Sequence, residues 1–221
     1  MKNFSFLYNN DEVKGIINAI NETNQKVFSS CHGKYHADFV MKITECILQE
    51  LNFDENTIEL GKIAALFHDI GCIDGNKNHA QRSSEMCVKF LNQTELSPQD
   101  KNIIIQAVFD HSNGDNISSP VGAALLIADK IDISKDRNLP LFLDGRWNDW
   151  LEILCSTEKT DILISDNDIT IKYSVTERFS NDTFIREWRK GILIPIKAAT
   201  YLNRGCKFEI NGVETNFLSL I

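Results

Sequence analysis

The sequence predicts a mainly α protein, a helical bundle with a small C-terminal α+β appendage. Apolar residues recur at helical spacing through most of the first 135 residues. The loops between those stretches are short, as in a compact bundle. After Arg137 the texture changes to β-branched runs separated by Asn, Asp and Gly turns. The expected division is a helical domain over 1–138 and an appendage over 139–221 packed on it.

Each element has its own signal. A first helix runs from about Asp11 to Phe28, and a second carries His36, Val40, Ile43, Ile47 and Leu51 along one stripe. A third starts at Asp54, a good N-cap, and ends at the Gly71 breaker. A fourth follows Asn78 through "HAQRSSEMCVKFL". "SPQD" opens a fifth, with Ser97 as N-cap, Pro98 in the first turn and Asp100 at the capping-box position. "SSPVGAALLIADKI" repeats the Ser-Pro start for a sixth.

In the appendage, "DILISDNDITIKYSV" reads as a hairpin, and "EKTD" before it as a solvated turn. "NDTFIREWRKGILIPIKAATYL" reads as a helix that Pro195 should kink or interrupt. "CKFEINGVE" is a strand with an Asn-Gly turn. Trp147, Trp150 and Trp188 are expected to pack the appendage onto the helical body.

Composition narrows the function. With 221 residues the chain can bury a sizeable core, and 43% hydrophobic with 24% charged residues reads as soluble and globular. A net charge of -8 argues against a nucleic-acid polymer or an anionic membrane as partner. A small phosphorylated substrate stays open, because a metal reverses the local charge. The six cysteines (31, 46, 72, 87, 155 and 206) contain no C-x-x-C pair. The N-terminus lacks a secretory signal, and no run of about 18 apolar residues exists to span a bilayer. A reducing cytoplasm is the expected location, and a homo-oligomer is compatible.

Polar residues on apolar helix faces point to chemistry. His36 falls on the stripe with Val40 and Ile43, and His68 follows Ala64 and Ala65 in a helix apolar nearly all round. His111 shares a face with Ile104, Ala107 and Val108, and Asp129 sits inside "AALLIADKI". A lone histidine on such a face is ordinarily a hydrogen-bonded core residue. A set of them with buried carboxylates is costly unless paired or metal-bound, and a divalent cation satisfies all together.

These residues resemble the signature of the HD superfamily of metal-dependent phosphohydrolases. The pattern is His36 in "KYHADFV", His68 and Asp69 in "LFHDIG", and Asp129 in "LIADKID". His79 in "NHAQRSS" and His111 in "FDHSNG" match the binuclear variant with two extra histidines. The segment from "DHSNG" to "SKDR" is similar to HD hydrolases that cleave dinucleoside polyphosphates. The chain departs from alarmone hydrolases, which carry Glu-Asp after the His-Asp pair. It departs too from cyclic di-GMP hydrolases, since Cys72 replaces their lysine and no Gly-Tyr-Pro loop follows.

The resemblance implies an HD-domain helical bundle and a phosphohydrolase acting on a phosphoester or phosphoanhydride of a nucleotide or related small molecule through metal-activated hydroxide. It implies that His36, His68, Asp69 and Asp129 hold one ion, with Asp69 bridging to a second completed by His79 and His111. Mixed His and carboxylate ligation suits Fe, Mn, Co, Ni or Zn, as one ion or two. Asp69 and Lys130 are the candidate catalytic residues, and Lys130, Arg137 and Arg82 the candidate substrate cations. His32 is expected to be a bystander or to act behind the ligands. Two other readings stay open: a non-catalytic metal-bound sensor or scaffold, and an HD-type di-iron oxygenase.

Overall fold

The computed structural model describes residues 2–27, 32–135, 137, 149–176 and 180–217. The helical body contains α1 (Lys2–Tyr8), α2 (Asp11–Val27), α3 (Lys34–Glu50), α4 (Glu55–Phe67), a 3-10 turn (Ile70–Asp74), α5 (His79–Leu91), α6 (Pro98–Asp110) and α7 (Pro120–Ile131). The appendage contains α8 (Asp149–Ser156), β1 (Thr157–Ile164), β2 (Asp168–Val175), α9 (Asn181–Tyr201), β3 (Gly205–Ile210) and β4 (Val213–Thr215).

Side-chain caps set where four helices begin. The Asp54 carboxylate accepts the Thr57 amide at 2.8 Å, starting α4. The hydroxyls of Ser97, Ser119 and Ser180 each accept an amide three residues on, starting α6, α7 and α9. Each bond satisfies one of the amides a helix start leaves unpaired, at about 1 kcal/mol per cap.

The body is organised around α7. Every residue from Val121 to Asp129 is buried, as expected of a helix apolar on all sides. It contacts α3, α4 and α6 of the body and α9 of the appendage. The sheet order is β1-β2-β3-β4, with β2 and β3 parallel and the other pairs antiparallel. A parallel pair needs a long crossover, which here is α9, in contact with both β3 and α7. Ile169, Ile171, Tyr173 and Phe208 of the sheet are buried together with Phe184 and Phe217. Asn211 and Gly212 both have positive φ, the requirement of the tight turn between β3 and β4.

The structure corrects several local expectations. α1 was not anticipated: it is seven residues long, too short for periodicity to register, and docks on α4 through buried Leu7 and the Phe4 amide donating to Glu59. α4 stops at Phe67 rather than at Gly71. α9 passes through Pro195, and its non-helical residue is Trp188 (φ -118°, ψ 26°). The Trp188 indole occupies the space a side chain at Gly191 would fill, with its nitrogen 1.8 Å from an ideal Cβ there. The "EKTD" segment lies in β1, where exposed Glu158, Lys159 and Asp161 suit an edge strand.

Of the three tryptophans, Trp188 packs partly buried against the core. Trp147 and the side chain of Trp150 lie outside the described residues, as does the expected boundary at 138/139. Among the described residues no helix is long and apolar enough to cross a membrane.

Candidate metal centre

The end of α4 creates the site. His68 is its C-cap, and Asp69 leaves helical geometry (φ -114°, ψ 9°) to start the 3-10 turn. That change of backbone direction lets adjacent side chains converge on one point instead of diverging by about 100° as on a helix. Gly71 then brings in α5. A Cβ at this position would lie 2.5 Å from the His79 carbonyl oxygen and 2.6 Å from the Ser83 amide, so backbone packs directly on backbone. The Gly71 amide donates to Ser83 Oγ at 2.9 Å, fixing the start of α5 and with it His79.

Five histidines and two aspartates meet there, four of the histidines through Nε2. His36 Nε2 lies 3.1 Å from His68 Nε2, 3.4 Å from Asp69 Oδ2 and 3.2 Å from Asp129 Oδ1. His68 Nε2 lies 3.2 Å from Asp69 Oδ2 and 4.0 Å from Asp129 Oδ1. On the other side, His79 Nε2 and His111 Nε2 are 3.0 Å apart and each 3.3 Å from Asp69 Oδ1. One carboxylate thus turns Oδ1 to His79 and His111 and Oδ2 to His36 and His68, and Oδ2 meets His32 as well.

The Nδ1 atoms fix the ring tautomers. His68 Nδ1 donates to the Ala65 carbonyl at 2.7 Å, His79 Nδ1 to Asn76 at 2.8 Å and His111 Nδ1 to Val108 at 2.6 Å. A carbonyl only accepts, so in a neutral ring Nε2 is left as an acceptor. His36 Nδ1 faces Asp132 Oδ2 at 2.7 Å, a carboxylate–histidine pairing of the kind that orients metal ligands. Asp132 is itself fully buried and accepts from Ser134 Oγ at 3.3 Å.

These atoms fit a cation. With both rings neutral, His79 Nε2, His111 Nε2 and Asp69 Oδ1 are three acceptors facing one another. Asp69 Oδ1 is buried and has no hydrogen-bond partner among the described residues. Ligand atoms about 2.1 Å from one ion lie roughly 3.0 Å apart in octahedral and 3.4 Å apart in tetrahedral geometry. The 3.0–3.3 Å spacings of this group match those edges. The group of His36, His68 and Asp69 is likewise able to hold an ion, and Asp69 belongs to both.

The electrostatics differ between the two groups. Burial opposes charge on Asp69, but His68 and His32 hold its carboxyl well below the usual range. Burial opposes charge on Asp129 too, and Lys130 with His36 keeps it ionised. Burial and the Arg137 charge pull His36 down, yet hydrogen bonds to Asp129, Asp132 and Asp69 lift it to about 10. Burial lowers His111, against Asp69.

The candidate substrate cations fare differently. Lys130 Nζ lies 2.5 Å from Asp129 Oδ2, at the edge of the site. Arg82 is engaged with backbone: Nε donates to the Gly71 carbonyl at 3.0 Å, Nη1 to the Lys77 carbonyl at 2.5 Å and Nη2 to the Gly75 carbonyl. Its guanidinium clamps the loop between Asp69 and His79. Arg137 is buried and its Nη1 donates to the Asp132 carbonyl at 2.7 Å. That bond supports the residue behind His36.

Two residues play larger parts than sequence reasoning gave them. His32 Nδ1 lies 2.6 Å from Asp69 Oδ2, inside the cluster rather than beside it. Burial depresses it to about 4 against the pull of Asp69. Its position four residues before His36 was the available signal. Asp132 was not singled out, although it follows Asp129 by three residues in the same motif.

One comparison with known proteins falls on the same residues. The HD domain family matches residues 34–134, a span that takes in His36, His68, Asp69, His79, His111, Asp129 and Asp132. Among solved structures the chain is similar to a predicted HD superfamily hydrolase from an uncultured Thermotogales bacterium. The identity is 20%, with 65% of this chain and 81% of that chain covered and a TM-score of 0.48. No curated protein matches the chain. HD domains bind divalent metal, and the His and Asp groups described above fit that property. Over residues 34–134 the chain is thus similar to the HD domain family.

Proposed function

We propose that this protein is a metal-dependent phosphohydrolase that cleaves a phosphoester or phosphoanhydride of a nucleotide or related small molecule. The observation that carries this reading is the Asp69 carboxylate, whose Oδ1 faces His79 and His111 and whose Oδ2 faces His36 and His68, with His32 also on Oδ2. Two divalent ions, of Fe, Mn, Co, Ni or Zn, would be held by His36, His68, Asp69 and Asp129 and by Asp69, His79 and His111. When bound, such ions supply Lewis-acid polarisation of a phosphoryl oxygen and a lowered pKa of water.

The chain's own residues do the rest. His68 and His32 keep Asp69 ionised despite its burial, so a negative charge stands at the centre to bridge or to orient water. Asp132 and the carbonyls of Ala65, Asn76 and Val108 hold the four rings with Nε2 directed inward. Lys130 places one N–H on Asp129 and keeps two more for a phosphoryl oxygen. Asp69 and Lys130 are therefore the residues we assign to catalysis, in a cytoplasmic protein without a nucleic-acid polymer as partner.

The test is metal-supplemented turnover of bis(p-nitrophenyl) phosphate and a nucleotide panel, scored by nitrophenol or phosphate release. The proposal requires turnover that Asp69→Ala abolishes. A folded, metal-loaded protein inert towards the whole panel would support a sensor or scaffold instead. Iron-specific loading with oxygen consumption and no phosphate release would support an oxygenase.

A further inference from the structure

A cleft of about 480 Å³ opens beside the second histidine pair, lined by residues of 76–81 and 109–116 and by Lys190 of α9. Its size falls in the range of about 300–1,000 Å³ typical of small-molecule pockets. His79 is among its lining residues and Asp110 and Ser112 flank His111, so the cleft borders the metal centre.

The lining has a distinct chemistry. Phe109 sits two residues before His111 and is 49% exposed, with no aromatic ring packed on it among the described residues. Asn76, Asn78 and Gln81 bring side-chain amides, which both donate and accept. The acidic residues are Asp110 and Asp115. Asp110 Oδ2 accepts from Gln106 at 2.7 Å and Asn116 at 3.1 Å, and Asp115 Oδ2 accepts from Asn113 at 2.9 Å. Two carboxylates against the one ammonium of Lys190 make this wall unfavourable for a phosphate. It suits an uncharged group with an aromatic face and hydrogen-bonding edges.

The appendage adds Lys190 to the lining and braces the loop after His111. Lys197 Nζ donates to the Gly114 carbonyl at 2.8 Å and the Asp115 carbonyl at 3.1 Å. Gly114 has φ +63°, and a Cβ there would lie 2.9 Å from Ile194 Cγ2. α9 therefore presses on the loop that follows His111 and fixes its course.

We propose that this cleft is the specificity subsite for the nucleoside end of the substrate. The base stacks on Phe109, the amides of Asn76, Asn78 and Gln81 read its polar edge, and the phosphate lies at the metal ligands. This rests on the phosphohydrolase reading above and names the part of the substrate that the metal centre does not select.

The experiment is competitive inhibition of bis(p-nitrophenyl) phosphate turnover by the Mn(II)-supplemented protein, with AMP and ribose 5-phosphate as paired inhibitors. The ratio of their inhibition constants within each variant isolates the base. In the parent protein AMP should inhibit about tenfold or more tightly than ribose 5-phosphate, the scale of one base–aromatic stack. Phe109→Ala should bring the two within about twofold by weakening AMP alone, and Phe109→Tyr should retain the difference. Equal inhibition in the parent, or an AMP advantage that survives Phe109→Ala, overturns the subsite. Ribose 5-phosphate inhibition with no AMP advantage leaves the phosphohydrolase reading standing, whereas absence of any turnover removes that reading and the subsite together.

Discussion

The two ends of the Asp69 carboxylate sit in unlike surroundings. On the Oδ2 side, His36 is bracketed by Asp69, Asp129 and Asp132, and a proton on that ring satisfies the group without any metal. On the Oδ1 side, His111 is depressed by burial, and two imidazole Nε2 atoms face one carboxylate oxygen. The first half carries its own positive charge, while the second depends on a cation from outside. Fold stability and metal binding are therefore coupled differently in the two halves, although they share one residue.

The largest disruption of this arrangement should come from Asp69→Ala, which removes the shared ligand. Turnover should fall about 10³-fold or more, since several kcal/mol of charge stabilisation is lost. Steady-state kinetics with a metal titration checks it. A variant that keeps a tenth of its activity would break the idea of a shared carboxylate.

Asp132→Asn sharpens the contrast, because it touches the first half alone. It weakens the hold on His36 and should lower metal affinity or activity about 10–100-fold. Chelator competition on the purified variant gives the affinity. Equal loss from both halves would argue against separate groups.

Gly71→Ala acts on the junction between the halves by driving a methyl group into the backbone of α5. Overpacking of this kind costs about 1–3 kcal/mol. Thermal denaturation should register a lower midpoint, with the His79 side losing metal first.

The smallest effect is a pH dependence. In the metal-free protein the folded His36 value of about 10 lies above its ordinary 6.5. A raised value contributes stability that is full below the ordinary value and is lost as pH rises through the folded one. Metal entering the first half near neutral pH must displace that proton. Calorimetry in buffers of different ionisation heat should find about one proton released there, and none from the depressed His111.

How much of this was legible in the sequence follows from the range of each signal. Of the six candidate ligands, His36, His68, His111 and Asp129 were readable because each breaks an apolar helical stripe, Asp69 and His79 only through the resemblance, and caps such as Ser97 and Ser119 because they act over three residues. The role of Arg82 was hidden: the carbonyls it clamps belong to an irregular loop whose path no periodicity encodes. Asp132 was masked by its neighbour, since one aspartate already completed the motif. The bend at Trp188 depends on a ring lying over Gly191, which local propensity does not reveal, whereas Pro195 announces a kink that the helix absorbs.

The most direct test of the central claim is the number and position of ions in metal-loaded crystals, located by anomalous scattering and matched by elemental analysis. The account predicts two ions per chain, with Asp69 contributing one oxygen to each, and retention of the His36–His68 ion alone in His79→Ala. A single ion in the parent protein, or a His79→Ala variant that keeps both, would contradict it.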